Sequence, residues 1–121
     1  MSIGRLSVVA IDCPDPTGLA RFYSAITGWA ISGVEDDWVQ LRSDGGATLA
    51  FQHVADHRPP EWPDGGRPQQ LHLDFDVVDL EAAEQQVLAL GARKTEVQPG
   101  EGFTVFLDPA GHPFCLVAED A

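Results

Sequence analysis

Apolar and polar residues alternate strictly through "LHLDFDV", residues 71–77. On a strand, Leu71, Leu73, Phe75 and Val77 share one face, and His72, Asp74 and Asp76 share the other. The period then changes. Leu80, Ala83, Val87 and Leu90 recur at helical spacing, with Asp79 placed as the N-cap and Gly91 as the closing glycine. "RKTEVQ", "FTVFL" and "FCLVAE" read as strands, divided by the turns "PGEG" and "DPAG". The first half repeats this order. "RLSVVAI" is a strand, Asp15 and Pro16 open a helix, and Leu19, Phe22, Tyr23 and Ile26 form its apolar stripe. Gly28 closes it. "WAISGV", "WVQL" and "ATLAFQHV" follow as strands.

The two halves keep step. Val8 and His72 each stand seven residues before a helix cap, and the closing glycines follow 13 and 12 residues after Asp15 and Asp79. This spacing is an internal repeat. It predicts an α+β fold of two tandem β-α-β-β-β modules whose sheets form one curved mixed sheet with a concave pocket. Module one spans about residues 4–54, a linker about 55–68, and module two about 69–119, all within one domain of 121 residues. The linker holds four prolines and two glycines, and it also carries Trp62. An aromatic side chain in such a segment is expected to pack down, and a pocket rim is one place for it.

Charge narrows the choice of partner. The net charge is −12 and Lys94 is the one lysine, which argues against nucleic acid. No apolar run approaches the roughly 20 residues that span a bilayer, and nothing resembles a signal peptide, so a cytoplasmic protein is expected. Spread acidity of this kind serves solubility or attracts cations. Cys13 and Cys115 lie far apart and read as free thiols.

The polar face of the 71–77 strand is the candidate site. His72 is either a hydrogen-bonded strand histidine or a pocket residue with Asp74 beside it. At the same offset in module one stand Val8, Ala10 and Asp12, so that face is not simply solvated, and a largely enclosed surface with one polar wall fits the pattern. Cys115 reads most simply as a small buried hydrophobe. As a nucleophile it would need a cationic neighbour, which His72 could supply only if the two faced each other. His53, His57 and His112 read as structural. There is no Ser-His-Asp spacing and no nucleotide-binding glycine loop.

The paired modules, "DPTGLARFYSAITGW" after the first strand, "LHLDFDVVDLEAAEQQVLALGA" opening the second module, and "FLDPAGHPFCLV" near the end together resemble the vicinal oxygen chelate superfamily. That group includes glyoxalase I, extradiol dioxygenases and bleomycin-resistance proteins. The resemblance implies metal ligands on the first and last strand of each module. The matching positions here are Val8, Gln52, His72 and Cys115. Valine cannot ligate, an amide is a poor anchor, and a histidine with a cysteine is too few ligands for zinc. The resemblance therefore implies a metal-free pocket with no cofactor, binding a small organic ligand through Val8, Gln52, His72, Asp74, Cys115, Trp38 and Trp62. The carboxylates favour a flat cation stacked on Trp38 or Trp62. The alternative is an enzyme, either a metal-dependent lyase or dioxygenase with an altered ligand set around His72, or a metal-free isomerase using His72 with Asp74 as acid and base. Members of this fold commonly bury strand edges against a partner, so a homodimer is expected.

Overall fold

The computed structural model describes residues 2–119. The chain divides into two compact units after His57. In the first, β1 (Val8–Cys13), α1 (Pro16–Thr27), β2 (Ile31–Val34), β3 (Trp38–Leu41) and β4 (Thr48–His53) follow one another. The sheet order is β1-β4-β3-β2. β1 runs parallel to β4, and the other pairs are antiparallel. The Asp15 carboxylate accepts from the Gly18 amide at 3.1 Å, which satisfies one of the orphan donors of α1. Gly28 ends the helix at φ +77°, a left-handed conformation that glycine adopts without penalty. Leu19, Phe22 and Tyr23 on one stripe of α1 are buried with Ile11, Cys13, Val39, Leu41, Leu49 and Phe51 of the sheet. The Tyr23 and Phe51 rings stack at 5.7 Å, and Phe22 meets Tyr23 edge-on at 5.0 Å.

The second unit repeats the order: β5 (Leu73–Val77), α2 (Leu80–Ala89), β6 (Arg93–Lys94), β7 (Phe103–Leu107) and β8 (Pro113–Ala118). Its sheet runs β5-β8-β7-β6, again with the first and last strands parallel. Asp79 caps α2 by accepting from the Ala82 amide at 3.0 Å. Ala83 and Val87 are its buried residues, and the larger core side chains come from the strands. Phe114 stacks on Phe106 at 5.6 Å and meets Phe75 edge-on at 6.1 Å. The α+β class and the repeated module order predicted from periodicity are both present. Each module forms its own open four-stranded sheet.

Several strand limits differ from the predicted ones, for local reasons. β1 begins at Val8 rather than Arg5, and β5 at Leu73, which leaves His72 just ahead of the strand. The predicted strand over 93–98 stops at Lys94. Beyond it, the Gln98 side chain takes the place of a strand neighbour. Its Nε2 donates to the Val105 carbonyl at 3.0 Å, and its Oε1 accepts from the Val105 amide at 2.8 Å. One side-chain amide thus bonds both ladder groups of Val105; the Thr95 amide also reaches the Val105 carbonyl, at 3.3 Å, and the chain beyond it leaves the sheet. From Arg58 onward the linker belongs with module two. Glu61 Oε1 accepts from the amides of Gly66 and Arg67 at 2.9 and 3.2 Å, which folds the segment back on itself. Pro59 packs on the 108–112 turn. A Cβ on Gly111 would stand 2.5 Å from Pro59 Cβ, and Gly111 already sits at φ +91°.

Candidate functional site

The polar face of module two is built by strand register. In the parallel β5–β8 pair, Asp74 lies beside Cys115 and Asp76 beside Val117. In the antiparallel β7–β8 pair, Val105 lies beside Cys115 and Phe103 beside Val117. Since neighbouring partners project to the same side, these residues share the face turned away from the Leu73, Phe75 and Phe114 core. The turn that starts β8 is fixed from inside. Asp108 is fully buried, and its Oδ1 accepts from the amides of Ala110 at 2.8 Å and His112 at 3.0 Å. This sets where Pro113 and Cys115 emerge.

A cavity of about 390 Å³ opens on this face. Trp62, Pro99, Phe103, Val105, Pro113 and Val117 make its wall largely apolar, and Gln69, His72, Asp74 and Cys115 are its polar groups. No arginine or lysine lines it. Its size is that of an ordinary small-ligand site. A larger hollow of about 570 Å³ in module one has Arg5 and Arg42 but no acid, histidine or thiol in its wall.

His72 Nε2 lies 3.2 Å from Asp74 Oδ1, with the two side chains 41% and 57% exposed. An ion pair this exposed adds little to stability. Its importance is positional, since it aligns the imidazole at the cavity mouth. Cys115 is buried, and one ligand atom from each of His72, Asp74 and Cys115 falls within 4.8 Å of the others. The histidine and the thiol therefore do come together, as a nucleophile would require. The electrostatics run the other way. Burial, then the Asp74 charge, then a hydrogen bond to Asp74 push the thiol from 9.0 up to about 11. At neutral pH Cys115 is a protonated donor facing a carboxylate, not a thiolate.

The sequence places Val8, Gln52 and Trp38 in this site. All three lie in module one, on the sheet face opposite α1. Val8 pairs with Thr48, and Gln52 lies beside both Asp12 and Trp38. Trp38 Nε1 donates to Gln40 Oε1 at 3.2 Å. Register also corrects one equivalence. Cys115 lies beside Asp74, the counterpart of Ala10, and Ala10 pairs with Ala50. The module-one counterpart of Cys115 is therefore Ala50, and Gln52 matches Val117. Counting along the last strand misplaced it because the preceding connections differ, 42–47 against 108–112. Asp76, expected on the pocket wall, is exposed and does not line the cavity. The residues that sequence reasoning missed are Gln69, Pro99, Phe103, Val105, Pro113 and Val117. For Phe103, Val105 and Val117, strand parity with Cys115 was an available signal. Pro99 depends on the Gln98 detour, which has none.

The family model of the glyoxalase-like domain matches residues 8–117. The chain belongs to the glyoxalase-like domain family. This bears out the resemblance to the vicinal oxygen chelate superfamily. No curated protein matches the chain. Solved structures share its fold. A glyoxalase/bleomycin resistance protein/dioxygenase family enzyme from Burkholderia phytofirmans PsJN is 18% identical, with a TM-score of 0.70 over 95% of this chain and 98% of that one. A glyoxalase-related enzyme from Fulvimarina pelagi is 19% identical, with a TM-score of 0.69 over 98% of this chain and 90% of that one. A possible glyoxalase from Bacillus cereus is 14% identical, with a TM-score of 0.68 over 96% of this chain and 99% of that one.

The superfamily implies a divalent metal, and the residues present fit it poorly. The module-one places matched to His72, Asp74 and Cys115 hold Val8, Ala10 and Ala50, all hydrocarbon. Among the described residues, the one cluster of three donors is His72, Asp74 and Cys115. Asp74 gives it a third donor beyond the two expected from sequence. With hydrocarbon at all three matching module-one places, this cluster would have to hold an ion from one module alone, with two of its three donors exposed.

Proposed function

We propose that this glyoxalase-like protein binds a small organic molecule, without a metal, in the module-two cavity. The observation that carries this is the apolar hollow walled by Trp62, Phe103 and Val105 with one polar corner at His72, Asp74 and Cys115. Apolar walls supply the driving force, and a few convergent polar groups fix orientation. Trp62 fluorescence tests the reading. Saturable quenching by flat organic compounds, lost in Trp62→Phe, supports it. Quenching that survives unchanged in Trp62→Phe places the ligand elsewhere and overturns it. Elemental analysis of protein purified without chelator tests the metal-free part. Near one equivalent of Zn, Ni, Fe or Mn per chain, lost on His72→Ala, overturns that part.

A catalytic reading has one observation in its favour, the His72–Asp74 pair at the cavity mouth. A carboxylate-oriented imidazole is an acid-base unit for isomerisation or proton abstraction. Turnover abolished by His72→Ala while ligand affinity is retained would favour it over binding alone. We further propose a homodimer. Sedimentation at micromolar concentration showing only the 13.0 kDa species rejects the dimer.

A further inference from the structure

The cavity is rich in acceptors. Gln69 Oε1 is buried and, among the described residues, has no hydrogen-bond partner. Gln69 is also a wall residue of the module-two cavity. A buried acceptor left unpaired costs free energy, so such a group marks a place where something else donates. Asp74 adds a carboxylate to the same wall, where its neighbour is the His72 imidazole at 3.2 Å and no lysine or arginine is present. The remaining wall is aromatic and aliphatic, with Trp62 and Phe103 as its aromatic residues. A ligand that matches this surface needs N–H donors, positive charge and a flat apolar body.

We infer that the module-two cavity selects an aromatic cation bearing N–H groups, such as an aryl amidinium or a protonated arylalkyl amine, with Asp74 as counterion and the Gln69 side-chain amide as second polar contact. This rests on the binding reading above and narrows its ligand class. Three ligand charge types separate on this basis. A cation gains a full ion pair with Asp74, a neutral amide gains hydrogen bonds without the ion pair, and a carboxylate is repelled.

The probes are 2-naphthamidine, 2-naphthamide and 2-naphthoate, which share a shape and differ in charge. Calorimetric titration of the full chain should give the order amidine, amide, carboxylate. The step from amide to amidine should be at least about tenfold, as charge-assisted hydrogen bonds are roughly twice as strong as neutral ones. Asp74→Asn should remove most of that step, lowering the amidine affinity far more than the amide affinity. Gln69→Met keeps the side-chain length and removes the acceptor, so it should weaken amidine and amide together. Circular dichroism confirms that both variants fold. Amide binding equal to or tighter than amidine in the wild-type chain overturns the cation inference and leaves the binding reading standing. So does amidine binding unchanged in Asp74→Asn. Saturation by none of the three overturns both.

Discussion

The two modules share an order of elements, a cap chemistry and a strand register, yet their two sheet faces diverge in opposite ways. In module one the helix carries the aromatic core, with Phe22 and Tyr23 packed against Phe51. In module two the helix buries only Ala83 and Val87, and the aromatics Phe75, Phe106 and Phe114 all come from strands. On the opposite face the contrast reverses. Val8, Ala10 and Ala50 make module one hydrocarbon where His72, Asp74 and Cys115 make module two polar. A repeat therefore constrains backbone and spacing far more than it constrains side chains. The core tolerates relocation of its aromatics as long as volume is filled, and the helix-free face is open to acquire or lose chemistry.

The largest expected effect probes who owns the core. Tyr23→Ala should cost about 3–5 kcal/mol in chemical denaturation, the range for deleting a buried aromatic side chain. Val87→Ala, its counterpart burial on α2, should cost about 2 kcal/mol, since two methyl groups and a small cavity are involved. Equal losses would erase the contrast between helix-borne and strand-borne cores. Next comes Asp108→Ala, which strips a buried acceptor from two amides and should cost about 1–3 kcal/mol. The same change should loosen the start of β8 and weaken ligand binding in module two, and an unaltered binding isotherm would show that the turn does not position the site.

The caps test the symmetry itself. Asp15→Ala and Asp79→Ala should each cost about 1 kcal/mol, because each removes one carboxylate acceptor from a helix N-terminus. A clear inequality would mean that the repeat is formal at those two places. The smallest effect concerns the thiol. With its proton held from 9.0 up to about 11, folded Cys115 should resist iodoacetamide well above the pH at which an unfolded thiol reacts, as read by peptide mass mapping. The sign for stability follows. The folded value is raised, so this contribution is complete below pH 9 and is lost as pH climbs from 9 towards 11. Asp74→Asn removes the second cause and should speed alkylation a few-fold, whereas the first cause, burial, remains. An unchanged rate would show that Asp74 does not act on the thiol.

What sequence alone determined is the part governed by local, periodic rules. Alternation placed the strands, the 3.6-residue stripe placed both helices, and Asp15, Gly28 and Asp79 sat where backbone amides and left-handed turns require them. The pairing of His72 with Asp74 was legible too, since residues two apart on an extended chain share a face. Tertiary structure decided everything that depends on neighbours distant in sequence. Register, not strand counting, set Ala50 rather than Gln52 opposite the Cys115 place. The Gln98 amide ended a strand that propensity would have continued. Burial beside Asp74 turned a thiol that resembled a nucleophile into a held proton. Gln69, one amide among several in the sequence, became a buried acceptor on a cavity wall only when the strap carrying Trp62 folded onto module two. Local propensity is written in each residue, whereas desolvation and hydrogen-bond satisfaction are properties of the surroundings that packing creates.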